Sequence, residues 1–118
     1  IMGISANDPT SIPEDSFDAM KAFTQTKGFN FPYLWDSTQD VAESFGVGQT
    51  PEVFLIDSGS VLRYIGAIDD NPQNPAAVRS PYLRSALVAV LANQEPPVVF
   101  TKSVGSPIAW RSGRGGRA

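Results

Sequence analysis

One stretch of this chain limits its fold more than any other. Val53-Phe54-Leu55-Ile56 is followed by Asp57-Ser58-Gly59-Ser60 and then by Val61-Leu62-Arg63-Tyr64-Ile65. A continuous apolar run of this length fits a strand covered on both faces. The Asp-Ser-Gly-Ser segment is a turn signal, so the second apolar run returns as the antiparallel partner of a hairpin. Pro51 stands just ahead of the first strand. A proline there removes a backbone donor, and an X-Pro bond is cis at a cost of only about 0.5–1 kcal/mol. A cis Thr50–Pro51 bond would turn the chain sharply and leave the Thr50 backbone polar groups facing outward. Those groups could then pair with an extended peptide in β fashion. A trans, strand-opening proline is the commoner alternative on sequence grounds.

The flanking segments supply helices and one more strand. Ile1, Met2 and Ile4 read as the end of a strand, and Asn7-Asp8-Pro9 as a turn. Pro13 takes a first helical position, with Glu14 and Asp15 at the positive end of the helix dipole. Phe17, Met20 and Phe23 form the expected buried stripe, and Gly28 the left-handed stop. Phe29 to Leu34, around Pro32, favours an extended, edge-like segment. Asp36 with Gln39 has the shape of a capping box, with Asp in place of Ser or Thr. Val41, Ala42 and Phe45 form the face of that helix, and Gly46 closes it. Gly66 to Val78 is a loop. Ser80-Pro81 then opens a last helix as N-cap and first helical residue, with Leu83, Leu87, Val90 and Leu91 as its core face. Pro96-Pro97 blocks continuation. No internal repeat is present. The order predicts an α/β layer fold, a mixed sheet flanked by helices. With 118 residues the chain makes one domain at most. Residues 1–97 are expected to form it. Residues 98–118 form a C-terminal extension whose Arg/Gly tail, from about Arg111, is expected to be disordered.

Composition removes whole classes of chemistry. The chain has no cysteine and no histidine. Disulfides, thiolate metal sites, thiol nucleophiles and imidazole bases are therefore impossible within it. Three of its nine Lys and Arg residues lie in Arg111–Ala118, leaving six basic against twelve acidic groups in residues 1–110. An acidic body argues against a nucleic-acid groove. The short basic tail admits an RNA-binding reading, but a frayed terminus is the plainer one. No apolar run approaches the ~20 residues of a membrane-spanning helix, and neither a membrane nor a nucleic acid is an expected partner. Asp69-Asp70-Asn71 clusters oxygen ligands but lacks a spaced calcium-loop pattern, so a solvated turn is expected and no metal. Asp57 with Asp69 or Asp70 could mimic a carboxylate pair, yet turn carboxylates are usually structural. Trp35 and Trp110 read as packing groups. Gly46-Val47-Gly48 follows a helix and is no dinucleotide signal. No cofactor is expected.

A family resemblance emerges from several motifs together. They are Phe31-Pro32-Tyr33-Leu34-Trp35-Asp36, Gln39-Asp40-Val41-Ala42, Phe45-Gly46, Thr50-Pro51-Glu52-Val53-Phe54-Leu55-Ile56-Asp57, Tyr64-Ile65-Gly66-Ala67-Ile68-Asp69-Asp70, and Tyr82-Leu83-Arg84-Ser85-Ala86-Leu87. Over about residues 1–110 the chain resembles the thioredoxin-like redoxins, and more narrowly the bacterial alkyl hydroperoxide reductase/thiol-specific antioxidant (AhpC/TSA) type. The resemblance implies a thioredoxin-like fold, here incomplete. The family's Cys-x-x-Cys or peroxidatic Cys would lie upstream of Ile1, and Ser106 stands where the closest group carries a second Cys. The chain thus looks like the C-terminal part of a thiol-disulfide oxidoreductase or thiol peroxidase, with no catalytic residue of its own. Gln49, Thr50 and Pro51 would face the substrate, a protein thiol or disulfide or a peroxide. The rival expectation is a non-catalytic thioredoxin-like interaction module. No signal can be read from this end of the chain, and a cytoplasmic location is the default expectation. In the thioredoxin arrangement a central strand separates Ile1–Ser5 from Val53–Ile56. Without it, a homodimer burying Phe17, Phe54 and Leu55 is expected.

Overall fold

Gly3–Ser5 forms β1, which runs parallel to β2, Tyr33–Trp35, with Gly3 opposite Tyr33 and Ser5 opposite Trp35. A parallel pair needs a crossover. Here it passes through a single 3-10 turn, Pro13–Asp15, and helix α1, Phe17–Lys27. The computed structural model describes residues 1–28 and 30–112. The disorder expected of the Arg/Gly tail beyond Ser112 therefore lies outside the described residues, as does Phe29. The chain divides into two units, Ile1–Gly48 with the segment from Pro107 onward, and Gln49–Ser106.

In the first unit, α1 begins later than Pro13. Ser16 is extended, and its hydroxyl accepts the Ala19 N–H at 3.1 Å. A hydroxyl that satisfies an orphan donor makes a better start than a proline ring can. Gly28 ends the helix at φ 64°, the left-handed stop expected of it. Only Met20 of the anticipated stripe is buried. Phe17 and Phe23 remain nearly half exposed, because a two-stranded floor is too narrow to cover three bulky residues. Phe17 packs instead against Trp35, ring centroids 5.8 Å apart, with the Lys21 ammonium 5.1 Å above it.

The next helix, α2, spans Asp40–Phe45 and closes at Gly46, φ 71°. The capping box is not formed. The Asp36 carboxylate reaches further along, accepting the Val41 and Ala42 N–H groups at 3.3 and 2.8 Å. Gln39 adopts φ 65°, and its side chain turns away from Asp36. Its amide donates to the carbonyls of Ala6 and Ala109 at 2.7 and 2.9 Å, and its oxygen accepts the Arg111 N–H at 2.9 Å. Ala42 is the buried member of the helix face, while Val41 and Phe45 are exposed.

The second unit is built on the predicted hairpin. β4, Val53–Ile56, pairs antiparallel with β5, Leu62–Gly66, with a register shift at Leu55/Ile56. Two short segments, β3 (Gln49–Thr50) and β6 (Ser106–Pro107), make a further ladder. β5 also gains a parallel bridge from Ile65 to Phe100. The expected mixed sheet is thus present as small two-stranded ladders, one parallel and one antiparallel among them. β4 is half-buried rather than covered on both faces.

Helix α3, Tyr82–Leu91, packs onto β4 and β5. It starts one residue after Pro81, and Ser80 does not cap it. The Ser80 carbonyl accepts the N–H groups of Asp70 and Tyr82 instead. Of the expected core face, Leu83 and Val90 are half-buried while Leu87 and Leu91 are exposed, and the buried residues are Ala86 and Ala89. The small methyls let the helix approach the strands beside the fully buried Tyr64. The Tyr64 hydroxyl donates to the Ala67 carbonyl and accepts from the Thr101 hydroxyl at 2.6 Å. Burial pushes its phenol above the ordinary value. Among the described residues no helix is long and apolar enough to cross a membrane.

Candidate functional site

The Gln49-Thr50-Pro51 segment comprises β3 and the start of its link to β4, and of the two alternatives open in the sequence its Thr50–Pro51 peptide bond takes the cis one. Gln49 and Thr50 are half-buried and Pro51 is exposed. A second segment comes against them. A Cβ atom built on Gly105 would lie 2.2 Å from the Thr50 carbonyl oxygen and 3.0 Å from Pro51 Cδ. No side chain fits there, so the two backbones meet directly only because residue 105 is glycine. Ser106 follows in β6, exposed. The fold therefore gathers Gln49, Thr50, Pro51, Gly105 and Ser106 in one loop cluster. Gly105 has no signature in local pattern, since the atom that demands it is far away in sequence.

The chemistry of this cluster is narrow. It offers hydroxyls, one carboxamide and backbone groups, and no group that ionises near neutrality. It holds no thiolate, the nucleophile of thiol–disulfide chemistry.

The other residues singled out from the sequence hold turns. The Asp57 carboxylate accepts the Gly59 and Val61 N–H groups at 2.9 and 3.0 Å and pairs with Arg63 at 3.0 Å. The Val61 N–H, then the Arg63 guanidinium, hold its carboxyl below the usual carboxylate value. Hydrogen bonds with the Ser80 and Arg79 backbone do the same for Asp70. Asp69 accepts the Asn71 N–H at 2.9 Å. Each carboxylate is occupied by its own turn, which leaves no acid–base pair. Among the described residues no three acidic, His or Cys groups converge to hold a metal ion. Gly46 closes α2, and the Gly48 carbonyl accepts the Ile108 N–H at 3.1 Å.

In the first unit Gln39 emerges as an organising residue that the sequence reading treated only as a cap. Together with Asn7, which accepts the Ala109 N–H at 2.8 Å, it ties the segment from Pro107 onward to the loop after β1.

Comparison with known families decides where the chain belongs. The model of the AhpC/TSA family matches residues 1–65. The chain belongs to the AhpC/TSA family. The matched part of this AhpC/TSA chain runs from β1 to Ile65 in β5 and includes Gln49, Thr50 and Pro51. No curated protein matches it. Two solved structures are similar, each 35% identical with a TM-score of 0.86: a hypothetical protein from Sinorhizobium meliloti 1021 and an uncharacterized conserved protein from Geobacillus kaustophilus. The alignments cover 95% and 94% of this chain. The chain spans 62% and 59% of those proteins.

Proposed function

We propose that this chain is the part of a thioredoxin-fold redoxin that presents substrate, and that the redox thiol belongs to the longer polypeptide of which it is a piece. The observation that carries the reading is the AhpC/TSA match through Gln49-Thr50-Pro51 in a chain with no cysteine. The β1–α1–β2 unit, the β4–β5 hairpin and the α3 helix then form an incomplete thioredoxin-like fold. Reaction with a disulfide proceeds by attack of a thiolate on one sulfur, which forms a mixed disulfide and expels the other sulfur as thiolate. With a hydroperoxide, the thiolate attacks the terminal oxygen, and an S–O bond forms as the O–O bond breaks. The sulfur is left as a sulfenate, and the peroxide's proton leaves with the alcohol or water. In either case Gln49 and Thr50 hold the incoming group, with the backbone at Gly105 supporting them.

Assays of the longer polypeptide test this directly. Its dithiothreitol-dependent reduction of insulin or consumption of hydroperoxide should exceed background. Thr50→Val should lower kcat/KM about tenfold, the loss expected for one positioning contact. A non-catalytic interaction module is the second reading, favoured by the absence of any Cys or His in all 118 residues. It would be supported by a longer polypeptide that also lacks a redox cysteine.

A further inference from the structure

The backbone edge at which an extended peptide was expected to pair is already taken. β6 lies against β3, and the Thr50 carbonyl oxygen faces Gly105 so closely that no Cβ fits between them. The segment that fills this edge is seated at a second point. Its Val99 carbonyl accepts the Ile65 N–H at 3.1 Å, and its Thr101 N–H donates to the Ile65 carbonyl at 3.1 Å. The Thr101 hydroxyl accepts the Ala67 N–H at 2.9 Å and donates to the Tyr64 hydroxyl. Gly66, at φ 143°, has no space for a side chain either, since a Cβ there would lie 2.3 Å from Thr101 Oγ1 and 2.4 Å from the Thr101 carbonyl oxygen. Gly66 and Gly105 thus mark two places where residues 99–106 rest directly on other backbone.

So short a tether decides a competition. Only Lys102, Ser103 and Val104 separate Thr101 from Gly105. A strand on a linker of that length acts at an effective concentration on the order of millimolar, whereas a polypeptide substrate arrives from solution at about micromolar. An extended polypeptide draws its affinity from main-chain pairing with a free edge, and this edge is filled. A small molecule needs no edge, only the side chains of Gln49 and Thr50.

On the redoxin reading, we propose that Gly105 and Ser106 are a built-in occupant of the substrate edge, so that the site takes a low-molecular-weight oxidant and refuses an extended protein disulfide. The C-terminal segment then acts as a selectivity device. It closes the docking edge and leaves the neighbouring side chains in place.

The test compares kcat/KM for hydroxyethyl disulfide and for insulin in the longer polypeptide, with dithiothreitol as donor. The small disulfide should be preferred about tenfold or more. Ser106→Pro leaves β6 without a backbone donor, because Pro107 follows it, and Gly105→Ala forces the two backbones apart. Each should shift the preference toward insulin. Ser106→Ala keeps the N–H and should keep the parent preference. A ratio of two rates is not imitated by a general loss of stability. Ser106 is exposed, so Ser106→Pro decides alone if Gly105→Ala does not fold. Insulin turned over as well as the small disulfide would overturn the proposal, as would a preference that Ser106→Pro leaves unchanged. Turnover of neither substrate would instead remove the redoxin reading, and this proposal with it.

Discussion

Gly105 and Gln39 are the two single residues on which most depends. At Gly105 the obstacle to a side chain is the Thr50 carbonyl oxygen, 2.2 Å from where a Cβ would sit, and backbone does not move aside cheaply. Gly105→Ala should therefore cost roughly 1–3 kcal/mol, the range for overpacking. Gly48→Ala, where a Cβ meets nothing within 4 Å, is the matched control and should be close to neutral. Urea unfolding of the two variants checks this, and equal midpoints would contradict the close approach. Gln39 is a different kind of residue, 1% exposed with three non-local hydrogen bonds. Gln39→Met keeps the bulk but leaves the Ala6 and Ala109 carbonyls and the Arg111 N–H without this partner. At about 1–3 kcal/mol for each buried group left unpaired, some reached by water, a net loss of roughly 2–4 kcal/mol is expected in the same measurement.

At the scale of elements, the hairpin joins chemistry to stability through Asp57. Its pKa is lowered in the folded chain, as is that of Asp70. A lowered carboxylate pKa contributes stability that is complete above the unfolded value, near 3.8, and is lost as pH falls through the folded value. The urea midpoint should accordingly hold from neutrality down to about pH 5 and fall below about pH 4. Asp57→Asn should show a smaller acid-induced drop than the parent chain. An identical drop would mean that the turn bonds of Asp57 do not respond to its charge.

The same elements show what was legible in sequence. The hairpin, the two left-handed stops at Gly28 and Gly46 and the AhpC/TSA membership could all be read, because each is encoded by neighbouring residues. Helix faces were harder. On α3 half of the expected bulky face is right, since Leu83 and Val90 are half-buried, yet the residues buried deepest are Ala86 and Ala89, and Leu87 and Leu91 are left outside. Periodicity locates a helix but does not say which of two apolar sides meets its neighbour. Gln39 was misread for a related reason. Its partners at Ala6, Ala109 and Arg111 lie far off in sequence, so a local pattern could only suggest a cap. Of the candidate site, Gln49, Thr50 and Pro51 were named from sequence, whereas the need for glycine at residue 105 arises from a contact across the chain.

For the whole molecule, membership and composition pull in opposite directions. The chain belongs to a family whose model spans its first 65 residues, yet it contains no cysteine. It covers 62% and 59% of two similar proteins of known structure. The account reconciles these by dividing the work. On the proposed reading, this segment would position substrate at Gln49, Thr50 and Pro51, and a thiolate elsewhere in a longer polypeptide would perform the exchange. The most direct test measures hydroperoxide consumption with dithiothreitol as donor, for the purified 118-residue chain and for the longer polypeptide side by side. The account predicts background rates for the chain alone and turnover by the longer polypeptide that is lost when its cysteine is replaced by serine. Turnover by the cysteine-free chain, or none by a folded longer polypeptide that carries the cysteine, would contradict it.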